Sequence, residues 1–258
     1  MQKKYFFFDI DGTLTSAKTF DLIIDSTRDA IAQLQAQGHF VAIATGRAAF
    51  RAREFMKRIG IHHAICEGGN MVIINDKVIS YEPINQQLAQ SIYHKARSLK
   101  IGVAISHEDS RHRLAPDALF DEQTSDYSFF MDVSIVPNFN IEDYTSIRRL
   151  FLALPYEQHH LIPELKQLGI MHYNNQFLII EPDDKYKGIL KAVELTHGHP
   201  EDVIVFGDGI NDVKMFEKAP FSIAMGNAVP EVKALASYIT TDSDDDGIYK
   251  ACKYFGWI

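Results

Sequence analysis

The chain has 258 residues, 46% of them apolar and 23% charged, enough for one large hydrophobic core or two modest ones. That excludes a disordered chain, a collagen-like repeat and a disulfide-stapled miniprotein. With 26 Lys and Arg against 34 Asp and Glu the net charge is −8, and no basic stretch could follow a phosphate backbone, so nucleic acid is not an expected partner.

Lys3 and Lys4 before Phe6, Phe7 and Phe8 imitate the start of a signal peptide, but Asp9 ends the apolar run far too early. No later segment approaches a membrane span. Cys66 and Cys252 form no C-x-x-C pair and suit a reducing compartment. The expectation is a cytoplasmic monomer that does not engage a membrane.

Tyr5–Phe8 is a continuously apolar run that stops at Asp9 and Gly12, as a buried parallel strand ending in a loop does. A helix is predicted from about Asp25, with Ile24, Ile31 and Leu34 on one face and Gly38 just past its end. Phe40–Ala44 is a second apolar run, broken by Thr45-Gly46-Arg47. Strand, helix, strand implies a parallel sheet with right-handed crossovers.

From 83 to 182 the pattern changes. Leu88, Ile92 and Ala96 have helical spacing, and Val103–Ile105, Arg149–Leu154, Gly169–Tyr173 and Gln176–Ile180 are strand-like, the last two forming a hairpin about Asn174-Asn175. So long a segment with its own strands reads as an inserted domain. The first grammar then returns. Tyr186, Ile189, Leu190 and Val193 sit at helical spacing, Val203–Phe206 is a strand ending at Gly207, a helix passes through Met215 and Phe216, and strands follow at Phe221–Ala224 and Tyr238–Thr240. The expected fold class is α/β: a doubly wound, Rossmann-like parallel-sheet core from 1–82 and 183–258, with an inserted α+β cap domain over 83–182.

Four polar clusters fall just after predicted strands or at a helix start, where ligands bind in open α/β sheets. They are Asp9-Ile10-Asp11-Gly12-Thr13, Thr45-Gly46-Arg47, Lys187-Gly188 and Gly207-Asp208-Gly209-Ile210-Asn211-Asp212. Asp9 and Asp11, two apart at the end of an extended segment, are expected to point to the same side. With Asp208 and Asp212 they make four carboxylates, which repel unless a cation sits among them, and oxygen ligands favour Mg²⁺ ahead of Ca²⁺ or Mn²⁺. Each cluster alone has a plainer explanation: an Asp-Gly turn, Thr45 as a helix cap, Lys187 as a solvated residue, Asp212 as a helix N-terminal charge. Their succession at the crest of one sheet argues for chemistry.

Phe8-Asp9-Ile10-Asp11-Gly12-Thr13-Leu14, Ala44-Thr45-Gly46-Arg47, Lys187-Gly188 and Gly207-Asp208-Gly209-Ile210-Asn211-Asp212 resemble the four ordered motifs of the haloacid dehalogenase-like hydrolases. The insertion between the second and third motifs resembles the Cof-type subgroup with its large α/β cap. Ala224-Met225-Gly226-Asn227-Ala228 and Asp246-Gly247-Ile248 resemble that subgroup's C-terminal signatures. One departure is visible: relatives carry an Asn-Gly-Ala turn after the third core strand, where this chain has Glu67-Gly68-Gly69-Asn70.

The resemblance implies a Mg²⁺-dependent phosphatase acting on small phosphate monoesters, such as sugar phosphates or phosphorylated cofactors. By this resemblance Asp9 is the nucleophile that forms an aspartyl-phosphate, and Asp11 protonates the leaving alcohol and then deprotonates water. Asp9, Asp11 through its carbonyl, and Asp208 hold Mg²⁺, with Asp212 as a ligand or orienting group, while Thr45, Gly46, Lys187 and Asn211 grip the phosphoryl oxygens. The cap is expected to close over the crest and exclude water. A phosphohexomutase, which needs an arginine-rich cap pocket, and a catalytically silent sugar-phosphate-binding regulator are the alternatives.

Other signals fall away. Gly207-Asp208-Gly209 fails the dinucleotide fingerprint because Asp212 occupies the place of its third glycine. Asp242–Gly247 opens like an EF-hand loop, but Lys253 stands where the bidentate Glu belongs, so a solvated acidic loop is expected. His62-His63, His159-His160, His197 and His199 lack the company of a zinc site. In the cap, Arg111, His112 and Arg113 are candidates for an anionic substrate tail, as are His172, Tyr173 and Asn174 at the hairpin.

Overall fold

The computed structural model describes residues 2–19, 21–124, 131–173 and 175–258, with His172 and Tyr173 described by their backbone alone. In chain order the elements are β1 (Tyr5–Phe8), α1 (Asp25–Ala36), β2 (Phe40–Ala44), α2 (Ala49–Ile59), β3 (Ala64–Cys66), β4 (Met71–Ile74), β5 (Lys77–Tyr81), α3 (Gln86–Ser98), β6 (Val103–Ser106), β7 (His112–Ala115), α4 (Leu119–Gln123), β8 (Asp132–Ile135), β9 (Arg149–Leu152), β10 (Ile170–Tyr173), β11 (Phe177–Ile180), α5 (Lys185–Leu195), β12 (Val203–Gly207), α6 (Val213–Lys218), β13 (Phe221–Ala224), α7 (Pro230–Leu235), β14 (Tyr238–Ile239) and α8 (Gly247–Tyr254). They form two compact units, Met1–Tyr81 with Asp184–Ile258, and Glu82–Asp183. Each boundary lies one residue from the position expected from the sequence.

The first unit is built on an eight-stranded sheet of order β14-β13-β12-β1-β2-β3-β4-β5. Pairing is parallel from β14 through β3 and antiparallel for β4 and β5. Side chains alternate across it with the two-residue strand period. Phe6, Phe8, Val41, Ile43, Ile204 and Phe206 face one hydrophobic layer with Ile31, Leu34, Phe55 and Met56 of α1 and α2. Tyr5, Phe7, Ala42, Val203 and Val205 face the other with Ile189 and Val193 of α5 and Met215 and Phe216 of α6. Helices on both faces are what continuous apolar strands require, because neither face can meet water. This is the doubly wound α/β core that the strand and helix order predicts.

The sequence reading did not foresee β4 and β5, which reverse at Asn75 and Asp76, both at positive φ. The wound core ends there in an antiparallel hairpin. Of the four residues at helical spacing in α5, Tyr186, Ile189 and Val193 are buried and Leu190 is substantially exposed.

The second unit has a six-stranded sheet of order β10-β11-β9-β6-β7-β8. It is antiparallel except for β7 with β8. Ala89, Ile92, Tyr93 and Ala96 of α3 pack on Val103, Ile105, Phe151 and Leu178 in a core of their own. The expected hairpin is present as β10 paired with β11, and Asn175 supplies a positive φ of 52°. Asn174 lies outside the described residues.

Candidate active site

β1 delivers Asp9 to the C-terminal edge of the sheet, where the Asp9 N–H still bonds to the Phe206 carbonyl at 3.0 Å. β12 ends beside it and delivers Asp208, and the turn that follows delivers Asp212. Carboxylate oxygens of Asp9, Asp208 and Asp212 lie within 4.8 Å of one another. Asp9 and Asp212 are buried and Asp208 is half-buried.

A buried lysine sits among them. Lys185 Nζ donates to Asp9 Oδ1 at 2.6 Å and to Asp212 Oδ1 at 2.6 Å. Asp212 Oδ2 accepts the backbone N–H groups of Asp208 at 3.0 Å and Gly209 at 3.1 Å. Burial opposes the Lys185 charge, but the Asp212 and Asp9 carboxylates outweigh it and raise its pKa. Burial pushes Asp9 up to about 8, with Lys185 pulling it down and Asp212 adding to the rise. Burial likewise raises Asp208 to about 6, against a lowering by the Thr13 hydroxyl.

The lysine facing Asp9 is therefore Lys185, and Lys187 is exposed on α5. The reason is helical pitch: at about 100° per residue, two residues on is most of half a turn away. Lys185 lies on the face of buried Gly188, Ile189 and Ala192, whereas Lys187 lies on the face of Leu190, Lys191 and Glu194. Asp184 caps the helix by accepting the Lys187 N–H at 3.3 Å.

Asp11 also departs from expectation, since its side chain does not join the carboxylate cluster. The chain turns after Asp9 instead of continuing as a strand, passing through Gly12 at φ 79°. Asp11 is exposed and faces Arg47, whose Nε donates to Asp11 Oδ2 at 3.0 Å. A Cβ at position 12 would collide with Asp208 Oδ2, so the turn's approach to Asp208 requires glycine. Thr13 Oγ1 donates to Asp208 Oδ1 at 2.8 Å.

Thr45 is buried at the end of β2, its hydroxyl accepting the Arg47 N–H at 3.1 Å. Gly46 is half-buried beside it, and Asn211 is exposed in the turn between Asp208 and Asp212. The atypical Glu67–Asn70 turn braces this loop: Gly68 N–H bonds to the Thr45 carbonyl at 3.2 Å and Glu67 N–H to the Arg47 carbonyl at 3.0 Å. Gly69 lies against the start of α5, where a Cβ would strike the Asp184 carbonyl. This turn thus links the loop of Thr45 to the helix of Lys185.

Sequence reasoning missed Lys185, Thr13 and the pairing of Arg47 with Asp11, although Thr13, Arg47 and Asp11 all stand inside the quoted motifs. It also missed Asn227, whose Nδ2 donates to the Gly12 carbonyl at 2.8 Å and to Asp208 Oδ2 at 3.2 Å. The acidic stretch is anchored as well as solvated, because Ser243 is buried and donates its N–H to Asn227 Oδ1 at 2.9 Å.

In the second unit the candidate basic residues are engaged locally. Arg113 is buried, donates to the Ser110 and His112 carbonyls at 2.7 and 2.8 Å, and lies over the Phe151 ring. Arg111 meets Asp132 at 3.3 Å, Arg149 meets Glu181 at 2.6 Å, and Arg97 pairs with Asp117. These contacts are structural, which weakens the arginine-rich pocket that a mutase requires. The side chains of His172 and Tyr173, like Asn174, lie outside the described residues.

A family model of the haloacid dehalogenase-like hydrolases matches residues 6–252. The chain belongs to this family. It is 30% identical over 263 residues, 99% of each chain, to a Bacillus subtilis protein named "Putative phosphatase YkrA". It is 24% identical over 250 residues, 96% of this chain and 93% of the other, to the 5-amino-6-(5-phospho-D-ribitylamino)uracil phosphatase YcsE of the same organism. Among solved structures, a subclass IIB sugar phosphatase of the superfamily superposes with a TM-score of 0.77 at 28% identity, covering 99% of this chain and 100% of that one. Family and relatives together make the chain an enzyme of the phosphoric monoester hydrolase class.

Proposed function

We propose that the protein is a Mg²⁺-dependent phosphatase that hydrolyses small phosphate monoesters, sugar phosphates or phosphorylated cofactors, through an aspartyl-phosphate. The observation that carries this reading is the buried Lys185 held between Asp9 and Asp212 with Asp208 alongside, three carboxylates to one ammonium. The excess negative charge and the oxygen-only donor set fit a hard divalent cation. Asp9 and Asp208 are the groups that would hold it, since Asp212 already accepts the Lys185 ammonium and two backbone N–H groups, whereas Asp208 accepts one neutral side-chain donor on each oxygen and keeps a lone pair on each. When bound, Mg²⁺ would neutralise charge on the phosphoryl oxygens and on the attacking carboxylate.

In this reading an Asp9 oxygen attacks phosphorus, the ester P–O bond breaks, and the departing alkoxide takes a proton from Asp11. Asp11 then removes a proton from water, which attacks the phosphoaspartate, releases inorganic phosphate and restores Asp9. Lys185 keeps Asp9 aimed and its charge compensated, and Thr45, Gly46 and Asn211 provide donors at the phosphoryl group. Arg47 holds Asp11 between the two proton transfers.

The sugar phosphatase neighbour supports a sugar phosphate, and the uracil phosphatase relative supports a phosphorylated polyol chain. A cytoplasmic location and a free small metabolite as partner fit the net charge of −8 and the buried, unbridged Cys66 and Cys252. Among the described residues no helix is long and apolar enough to cross a membrane.

The test is product analysis over a panel of sugar phosphates and phosphorylated cofactors, with Mg²⁺ and with EDTA. Free phosphate in Mg²⁺ alone is expected. An isomerised sugar phosphate without free phosphate would overturn hydrolysis in favour of a mutase.

A further inference from the structure

Asn227, in the loop after β13, is the point where three other loops of the core unit meet. Its Oδ1 accepts the Ser243 N–H at 2.9 Å, which fixes the amide so that Nδ2 faces the Gly12 carbonyl at 2.8 Å and Asp208 Oδ2 at 3.2 Å. Ser243 is itself pinned, because its Oγ accepts the Ala17 N–H at 3.0 Å. On the other side of the same carboxylate, Thr13 Oγ1 donates to Asp208 Oδ1 at 2.8 Å.

Asp208 is thus gripped on each oxygen by an uncharged donor. Neutral donors fix the direction of a carboxylate while leaving its negative charge intact, whereas a lysine or arginine in the same place would cancel that charge. Lys185, the cation of the cluster, donates instead to Asp9 and Asp212. Among the described residues Asp208 accepts only neutral side-chain donors, whereas Asp9 and Asp212 accept the Lys185 ammonium directly, so Asp208 is the carboxylate of the cluster whose charge is least compensated before a metal arrives.

We infer that Asn227 is a positioning residue that, with Thr13, aims Asp208 at the metal and pins the Gly12 carbonyl so that the turn carrying Asp11 keeps its shape. This assignment rests on the Mg²⁺-dependent reading above. It gives the acidic stretch after β14 a task, since the Ser243 N–H sets the orientation of the Asn227 amide.

The experiment is calorimetric titration of Mg²⁺ into the wild-type protein and Asn227→Ala without substrate, with thermal melting of both in EDTA. The expected result is Mg²⁺ affinity lower by about 10-fold or more in Asn227→Ala, with a smaller Mg²⁺-induced rise in melting temperature. Wild-type binding of Mg²⁺ with Asn227→Ala within twofold of it would overturn the inference while leaving the phosphatase reading intact. A lowered melting temperature in EDTA with unchanged affinity would do the same, showing a structural brace only. A wild-type protein that takes up no Mg²⁺ would overturn both. If Asn227→Ala does not fold, Asn227→Ser, which keeps a polar atom on Cβ but falls short of Asp208, is titrated in its place with the same criteria.

Discussion

In the inserted unit, Arg149 meets Glu181 at 2.6 Å with both side chains largely buried, a guanidinium set against a carboxylate. In the core unit, Lys185 meets Asp9 and Asp212 at 2.6 Å each, with Asp208 in the same cluster, so one cation serves three anions. Both arrangements bury charge, and burial costs energy in either case. The balanced pair repays part of that cost locally and holds strands together. The unbalanced cluster leaves negative charge that only a further cation or a titration can relieve, and it lies at the C-terminal strand edge where an open α/β sheet binds ligands.

The largest effect is expected from Lys185→Ala. It strands Asp9 and Asp212 without their cation, so urea unfolding in EDTA should show a loss of about 3–5 kcal/mol, and phosphate release should vanish. A loss below about 1 kcal/mol would mean that the ammonium does not compensate the cluster. Glu181→Gln tests the balanced pair and should cost about 2 kcal/mol in the same assay, less than a fully buried pair because solvent reaches both groups.

The imbalance also predicts a pH trend. Asp9 is raised to about 8 and Asp208 to about 6, burial being the main cause in each. Both exceed the value of about 4 for an unfolded Asp. Without metal the folded chain retains protons that the unfolded chain has lost, so stability falls as pH rises from about 4 toward 8, more steeply below 6 where both groups contribute. In EDTA the wild type should lose stability relative to Asp9→Asn across that interval, and Mg²⁺ should flatten the trend. A wild type that gains on Asp9→Asn as pH rises in EDTA would contradict it.

The smallest effect sharpens the choice between two lysines. Lys187→Ala should change stability by no more than about 0.5 kcal/mol and leave phosphate release at the wild-type rate. A large loss of rate would return Lys187 to the site.

Those two lysines also show how far the sequence could be read. The crest loops were legible because strand ends are marked by abrupt changes from apolar runs to Asp and Gly, as at Phe8-Asp9 and Phe206-Gly207-Asp208. The Lys187-Gly188 dipeptide points to the wrong lysine because helical phase, not the dipeptide, decides which side chain reaches the crest. Lys185 continues the stripe of Gly188, Ile189 and Ala192, and Lys187 continues the polar stripe of Lys191 and Glu194, so the signal was present. Asp11 was misjudged for a different reason: the extended geometry that puts residues i and i+2 on one side ends at Asp9, where the chain turns toward Gly12. Asn227 stands inside the quoted Ala224–Ala228 signature, but its contact with Asp208, 19 residues away, and its own support by Ser243 are tertiary and follow from no local pattern. In the inserted unit Arg111 looked available because its partner, Asp132, comes from β8, 21 residues along the chain.

In the proposed function the unbalanced cluster is a phosphoryl-transfer site with Asp9 as its nucleophile. Phosphate release from a sugar phosphate by wild type and Asp9→Asn, each in Mg²⁺ and in EDTA, tests it most directly. Release is expected from wild type in Mg²⁺ alone, with a drop of at least about 10³-fold in folded Asp9→Asn. A folded Asp9→Asn that turns over at near the wild-type rate would contradict it.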